Sequence, residues 1–324
     1  QNEEINTLFF RRLFEAALEE RQYYFNIEGT NAFRLFNAEG DGVGGLTIDN
    51  YNGHLLIQWY SKGIYKFRFP ILEAIKEVYE YTSIFEKMRF KGTSYTGGFV
   101  EGNAPEFPIV VEENFTFYNV DLNDGLMTGI FLDQKEVRGR LVDGFAVGKT
   151  VLNMFSYTGA FSVAAAMGGA VATTSVDLAK RSLPKTTEQF EVNHLNLAAQ
   201  KIIVMDVFDY FKYASRKGSS YDMIILDPPS FARNKKKVFS VAKNYGELVK
   251  DSIDILTDKG TLIASTNAAN LSLAKYKKMV ITALQEKNVR YKITDTYQLP
   301  ADFQVNPNFP EGNYLKVLFI EIEK

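Results

Sequence analysis

Residues 150–177, TVLNMFSYTGAFSVAAAMGGAVATTSVD, constrain the fold more tightly than any other stretch of the chain. Residues 150–155 form an apolar run of strand length. Ser156, Tyr157, Thr158 and Gly159 follow as a turn with a single glycine, where the backbone can adopt a left-handed conformation. Residues 160–167 are small and alanine-rich, as in a helix, and Gly168-Gly169 ends it. Residues 172–176 read as a second strand, with Asp177 at its carboxyl end. An acid about 20 residues beyond a glycine turn is placed to bind the two hydroxyls of a ribose.

The glycines that are missing narrow the ligand. A dinucleotide fold uses G-x-G-x-x-G so that backbone can press against a pyrophosphate. Only Gly159 stands in this turn, which favours a nucleoside without phosphate, and S-adenosylmethionine fits. An ordinary buried βαβ unit is the competing reading.

The alternation continues downstream. Strands are expected at 201–205, 223–226 and 261–265, with helices at 182–195, 208–215, 244–256 and 272–284. Residues 290–298 and 314–321 close the chain as an antiparallel pair. Seven strands, five of them alternating with helices, imply a doubly wound parallel α/β sheet. Ahead of it, residues 6–25 suit an amphipathic helix, the glycine-punctuated 32–60 a β-meander, and 67–78 a second helix. Within 125–142 the second half reads as a helix, with Val137 and Leu141 inward and Lys135, Arg138 and Arg140 outward. The division expected is a small α+β domain over residues 1–104 and the α/β domain over 105–324.

Composition excludes several classes of chemistry. The 324 residues include no cysteine and only two histidines, so a thiolate or histidine-rich metal site is not expected, nor a thiol nucleophile. No apolar run approaches the roughly 20 residues of a membrane span, and nothing at the start resembles a secretion signal. Cytoplasm is the expected compartment. The net charge of −2 means that any nucleic-acid binding comes from local patches.

Ligands of an open α/β sheet bind at the carboxyl ends of its strands. Asp177, Asp206 and Asp227 all fall there. Asp177, with Leu178 beside it, is placed for ribose. Asp206 and Val207 are placed for adenine, and Asp227 for the reacting methyl group. Each alone also reads as a cap or turn residue. Asp227-Pro228-Pro229-Ser230-Phe231 is the most specific signal. Two prolines stiffen the backbone and leave carbonyls to accept from a flat base, while Phe231 can stack on that base. The basic run Arg233, Lys235, Lys236 and Lys237 follows directly; beside these residues it reads as a nucleic-acid contact as readily as solvated surface. Lys87, Arg89 and Lys91 form a second cluster that reads as solvated surface, unless the first domain orients RNA.

TGIFLDQKEVR, VLNMFSYTGAFSVAAAMGGA, TTSVDLAKRS, VMDVFDYF and LDPPSFARNKK together resemble the class I S-adenosylmethionine-dependent methyltransferases. More narrowly, they resemble the bacterial 23S ribosomal RNA large-subunit enzymes, from about residue 30 to the end. The resemblance implies a Rossmann-like seven-stranded domain and S-adenosylmethionine as cofactor. It also implies that Asn153, Phe155, Ser156, Tyr157, Thr158 and Gly159 wrap the methionine part, and that Phe131, Asp133 and Gln134 belong to a segment closing over the cofactor. Asp227, Pro228, Pro229 and Phe231 then line the transfer site. The implied partner is 23S ribosomal RNA or an assembly intermediate; the oligomeric state is open, a dimer included. Family members often carry an amino-terminal RNA-binding PUA domain, not visible here, so a truncated chain is one expectation.

One departure matters. Relatives that make 5-methylcytosine place a cysteine after the fifth strand, because carbon 5 needs a thiolate added at carbon 6. The stretch here is Ser265-Thr266-Asn267-Ala268-Ala269-Asn270. N7 of guanine, which has a free lone pair, is therefore the favoured target, with an exocyclic amine second. Methylation of N7 needs alignment more than a base, and no metal. Other readings stay open: a methyltransferase of a protein or small molecule, a nicotinamide dehydrogenase, or a non-catalytic RNA-binding module on the same scaffold.

Overall fold

The computed structural model describes residues 4–234 and 237–324, which fall into two compact units. The first holds the residues up to Asp133 together with Pro300–Gly312; the second holds Gln134–Leu299 and Asn313–Lys324. Residues 105–133, expected with the α/β domain, thus cluster with the amino-terminal unit. So does the proline-containing loop between the last two strands.

In the first unit, β1 (Ala32–Asn37), β2 (Leu46–Tyr51), β3 (His54–Trp59), β4 (Ser83–Met88) and β5 (Gly97–Gly102) pair in sequential order. β1 to β3 form the expected antiparallel meander, β4 runs parallel to β3, and β5 returns antiparallel. Helix Thr7–Glu20, capped by the Asn6 side chain, packs Phe10 and Phe14 onto this sheet beside Phe36, Ile48 and Trp59. The helix expected over 6–25 breaks at Arg21. That guanidinium is fully buried and is held by the Ala17 and Asp302 carbonyls and both oxygens of Asp41. β6 (Ile109–Glu113) and β7 (Thr116–Val120) pair antiparallel as a hairpin.

The second unit is built on β8 (Thr150–Met154), β9 (Ala172–Asp177), β10 (Gln200–Val204) and β11 (Tyr221–Leu226). A small hairpin of β12 (Phe231–Asn234) and β13 (Lys237–Ser240) precedes β14 (Leu256–Thr266), β15 (Arg290–Tyr297) and β16 (Lys316–Glu323). The sheet order is β10-β9-β8-β11-β14-β16-β15, parallel except for the antiparallel pairs of β16 with β14 and β15. This is the doubly wound, seven-stranded arrangement read from the alternation.

Strand periodicity sends alternate side chains to opposite faces. Leu152, Met154, Ile224, Leu226, Leu262 and Leu318 meet helices Val207–Lys217, Val241–Ile255 and Leu273–Glu286 on one face. Val151, Met223, Ile225, Ile263 and Phe319 meet Lys135–Arg140 and Ala160–Met167 on the other. Lys135 and Arg138, expected outward, are buried; Arg138 lies over the Phe161 ring. Gly168 explains how closely those helices approach, since a β-carbon there would stand 1.9 Å from the Leu141 carbonyl oxygen. Gly168→Ala is expected to destabilise the protein by about 1–3 kcal/mol, read as a lowered urea midpoint. An unchanged midpoint would show that the helix termini shift freely.

Candidate active site

The chain runs from β8 outward to β9 and β10, then crosses back to β11 and on to β14. The direction of winding therefore reverses between β8 and β11, and it is in the crevice beyond the carboxyl ends at such a switch point that open α/β sheets bind ligands. The turn after β8, the acid that ends β9 and the Asp-Pro-Pro segment after β11 all stand at those carboxyl ends.

The β8 turn is the most contorted backbone in the unit. Phe155, Tyr157 and Gly159 have φ of 59°, 53° and 78°. Two non-glycine residues in the left-handed region within three positions cost on the order of 1 kcal/mol each or more, so the surroundings must hold them. Asp177 does so. Its Oδ2 accepts from the Tyr157 amide at 2.9 Å and its Oδ1 from the Ala179 amide at 2.8 Å. Gly159 is needed on space as well, since a β-carbon would come within 2.4 Å of the Thr186 methyl.

Polar atoms around this turn are left open. Asn153, fully buried in β8, donates to Ser162 Oγ at 3.0 Å, but its Oδ1 has no partner among the described residues. The same holds for Ser156 Oγ and, one helical turn apart on Ser182–Glu191, for Ser182 Oγ and Thr186 Oγ1. Buried polar atoms are rarely left unpaired in a finished structure. Such a cluster beside a strained turn fits the polar end of a bound amino-acid nucleoside.

Asp206 begins helix Val207–Lys217 as its cap, accepting from the Phe208 and Asp209 amides at 3.0 and 3.4 Å. Val207 is buried and Leu178 exposed. Phe131 and Asp133 belong to the first unit. Gln134 opens the second, and its Nε2 donates to Asp227 Oδ1 at 3.3 Å and to Ser265 Oγ at 2.9 Å. A carboxylate only accepts, which fixes the amide nitrogen toward Asp227. The buried Oε1 is left without a partner among the described residues.

The target end of the crevice is organised by residues that the sequence did not bring together. Ser230, next to the two prolines, donates to Asn267 Oδ1 at 2.6 Å, which ties the segment after β11 to the one after β14. The Ser265 carbonyl accepts from Tyr245 OH, which in turn accepts from Tyr276 OH, both at 2.8 Å. Burial drives both phenols well above their ordinary pKa, so they stay protonated donors. Thr266 is fully buried, its hydroxyl accepting from the Ala268 amide. Phe231 is 61% exposed. Tyr245 and Tyr276 occupy inward positions of two amphipathic helices and look like core; nothing in their spacing announces a polar chain.

Lys316 is the other residue missed. It pairs with Thr266 across the β14–β16 ladder and is buried, donating to the Ala268 and Tyr314 carbonyls at 2.8 Å each. Burial alone lowers its pKa. Without the ammonium the two buried carbonyls lose their donor, at a cost of about 1–3 kcal/mol each, against which the relieved desolvation of the charge counts. Lys316→Met is therefore expected to lower the melting temperature, and an unchanged value would show that the carbonyls find other donors.

The basic clusters divide. Lys235 and Lys236 lie outside the described residues, and Arg233 and Lys237 fall on the β12–β13 hairpin. Lys87 is buried in β4 and donates to the Met127 carbonyl; desolvation pushes its pKa down to about 8. Arg89 donates to Gln58 Oε1 at 2.7 Å, which leaves Lys91 as the exposed member.

The chain matches the S-adenosylmethionine-dependent methyltransferase family over residues 83–292. It is 53% identical to YwbD of Bacillus subtilis, provisionally named a ribosomal RNA large subunit methyltransferase, over 99% of this chain and 82% of the relative. Ribosomal RNA large subunit methyltransferase I of Aeromonas salmonicida is 31% identical with the same coverage. Among solved structures, SMU.776, provisionally named a methyltransferase and crystallised with SAH, superposes with a TM-score of 0.94 at 48% identity. That likeness covers 99% of this chain and 83% of the other.

Proposed function

Since the chain belongs to the S-adenosylmethionine-dependent methyltransferases, in their ribosomal RNA large-subunit family, we propose that its substrate is a base of 23S ribosomal RNA and its target atom N7 of guanine. Bound S-adenosylmethionine supplies an electrophilic methyl group on a sulfonium. Everything else asked of the protein is alignment in a dry site, which supplies up to about 7–11 kcal/mol of acceleration in favourable cases.

The residue roles follow the crevice. Asn153, Phe155, Ser156, Tyr157, Thr158 and Gly159 hold the amino-acid end, with Ser182 and Thr186 completing its hydrogen bonds. Asp177 and Leu178 take the ribose, Asp206 and Val207 the adenine, and Phe131, Asp133 and Gln134 close over the ligand. Asp227, Pro228 and Pro229 orient the base, which stacks on Phe231 once unstacked from its RNA. Residues 1–104 orient the RNA, and Arg233 and Lys235 to Lys237 contact its backbone. Among the described residues no helix is long and apolar enough to cross a membrane; we assign the reaction to the cytoplasm.

The observation that carries the choice of atom is Thr266. It follows Ser265 where 5-methylcytosine enzymes need a thiolate, and its buried hydroxyl is already engaged with Ala268. A neutral hydroxyl is a poor nucleophile for carbon 6. The test is transfer of labelled methyl to protein-free 23S RNA and, in parallel, to large-subunit assembly intermediates, followed by nucleoside mass analysis. Label in 7-methylguanosine is expected. Label in 5-methylcytidine overturns the choice of atom, and label absent from RNA in both arms overturns the substrate.

A further inference from the structure

Resting on the RNA reading above, we infer that the first two turns of helices Val241–Ile255 and Leu273–Glu286 form a phosphate-binding rim beside the target end of the crevice. Lys243, Lys275, Lys277 and Lys278 supply its charge, and its partner is the backbone of the substrate RNA.

Charge distribution points there first. The chain carries 39 acidic residues in 324, about one in eight, and its net charge is −2. Yet no acid occurs in residues 228–246 or 261–285, which hold the segments that follow β11 and β14 and the starts of the helices after them. Lys243, Lys275 and Lys278 are exposed and Lys277 half-buried, and none of the four forms an ion pair among the described residues.

Position within the helices is the second, independent observation. Lys243 and Lys275 are each the third residue of their helix, and neither first turn contains an acid. Cations are disfavoured at the positive end of a helix dipole, so these lysines cost local stability where they stand. The far halves of the same helices are built the opposite way. Lys250 pairs with Glu247 and Glu286, and Lys287 with Asp254. One end of the pair is thus neutralised and the other left cationic, an arrangement that an anionic partner resolves.

The cationic end is fixed to the site. Lys243 lies two residues from Tyr245, and Lys275 and Lys277 flank Tyr276. Tyr276 OH donates to Tyr245 OH and Tyr245 OH to the Ser265 carbonyl, and Ser265 Oγ takes the amide of Gln134 that also reaches Asp227. Phosphates on this rim would flank the base presented to Asp227.

The experiment measures binding of protein-free 23S RNA by the full chain across a salt series, with S-adenosylhomocysteine binding as the folding control. Lys275→Glu, Lys277→Glu and Lys278→Glu combined are expected to weaken RNA binding about tenfold or more at 0.1 M salt. The slope of log affinity against log salt should flatten by roughly 0.7–0.9 for each phosphate that the variant no longer neutralises. Lys243→Glu alone should follow in the same direction. Arg290→Glu with Lys292→Glu, at the start of β15 and so at the opposite end of the sheet, is the charge control, expected to change binding less than twofold. Equal weakening in the control and the rim variants, or an unchanged slope in the rim variants, overturns the inference while the RNA reading stands. A wild-type chain that neither binds nor methylates RNA overturns both.

Discussion

Asp227→Ala is expected to lower kcat for methyl transfer by about 10²–10³-fold, with a much smaller change in affinity for S-adenosylhomocysteine. Misalignment at a reacting centre by about 1 Å is enough for an effect of that size. Asp227 stands at the carboxyl end of β11, against Gln134 Nε2, with Ser265 as the shared neighbour. Without the carboxylate, Gln134 keeps Ser265 but not the hydrogen bond that draws it toward the Asp-Pro-Pro segment. Single-turnover kinetics separates the cases, since a fall in the chemical step alone is the signature of an interaction made in the transition state. An equal fall in cofactor affinity would reassign Asp227 to cofactor binding.

Asp227→Asn sharpens the choice of target atom. Its amide keeps an acceptor oxygen but neither the charge nor the second oxygen. For N7 of guanine, which arrives with its lone pair free, retained geometry should limit the loss to roughly tenfold. An exocyclic amine must have its hydrogens drawn away as the nitrogen attacks, so there the asparagine variant should be nearly as slow as alanine.

Local signals carried the second unit because each of its parts is a short-range pattern. The Ser156–Gly159 turn, the Gly168-Gly169 stop and the acids at successive strand ends are readable within a few residues, and right-handed crossovers then leave little freedom of topology. What escaped depends on distance in sequence. Tyr245 and Tyr276 sit at positions that periodicity assigns to core, and they are core; their hydroxyls matter because two helices meet. Lys316 is legible only once β16 is inserted between β14 and β15. Lys87 misled because a basic residue in a charged run reads as surface, whereas β4 is an interior strand of its sheet. Asp206 shows the converse. Its helix-capping bonds are the modest outcome expected of an acid before a helix, and they occupy Oδ1.

Asp177→Ala is expected to weaken S-adenosylhomocysteine binding by about a hundredfold or more, roughly 2.7 kcal/mol. Two effects meet at this one carboxylate. First, Asp177 bonds the Tyr157 and Ala179 amides, and hydrogen bonds to a charged acceptor contribute about 1.5–3 kcal/mol each. Phe155 and Tyr157 hold left-handed backbone only while such bonds outweigh the strain, so alanine lets the turn relax before any ligand arrives. Second, each carboxylate oxygen keeps lone-pair capacity beyond its amide partner, which ribose hydroxyls would use. Asp177→Asn separates the two. It retains one acceptor oxygen and should weaken binding about tenfold if ribose recognition dominates, but nearly as much as alanine if the Tyr157 amide is the critical partner and the new NH₂ faces it. Calorimetric titration reads these affinities directly, with circular dichroism as the check on folding. An unchanged dissociation constant for the alanine variant would remove Asp177 from the ribose site and leave it as a brace of the β8 turn alone.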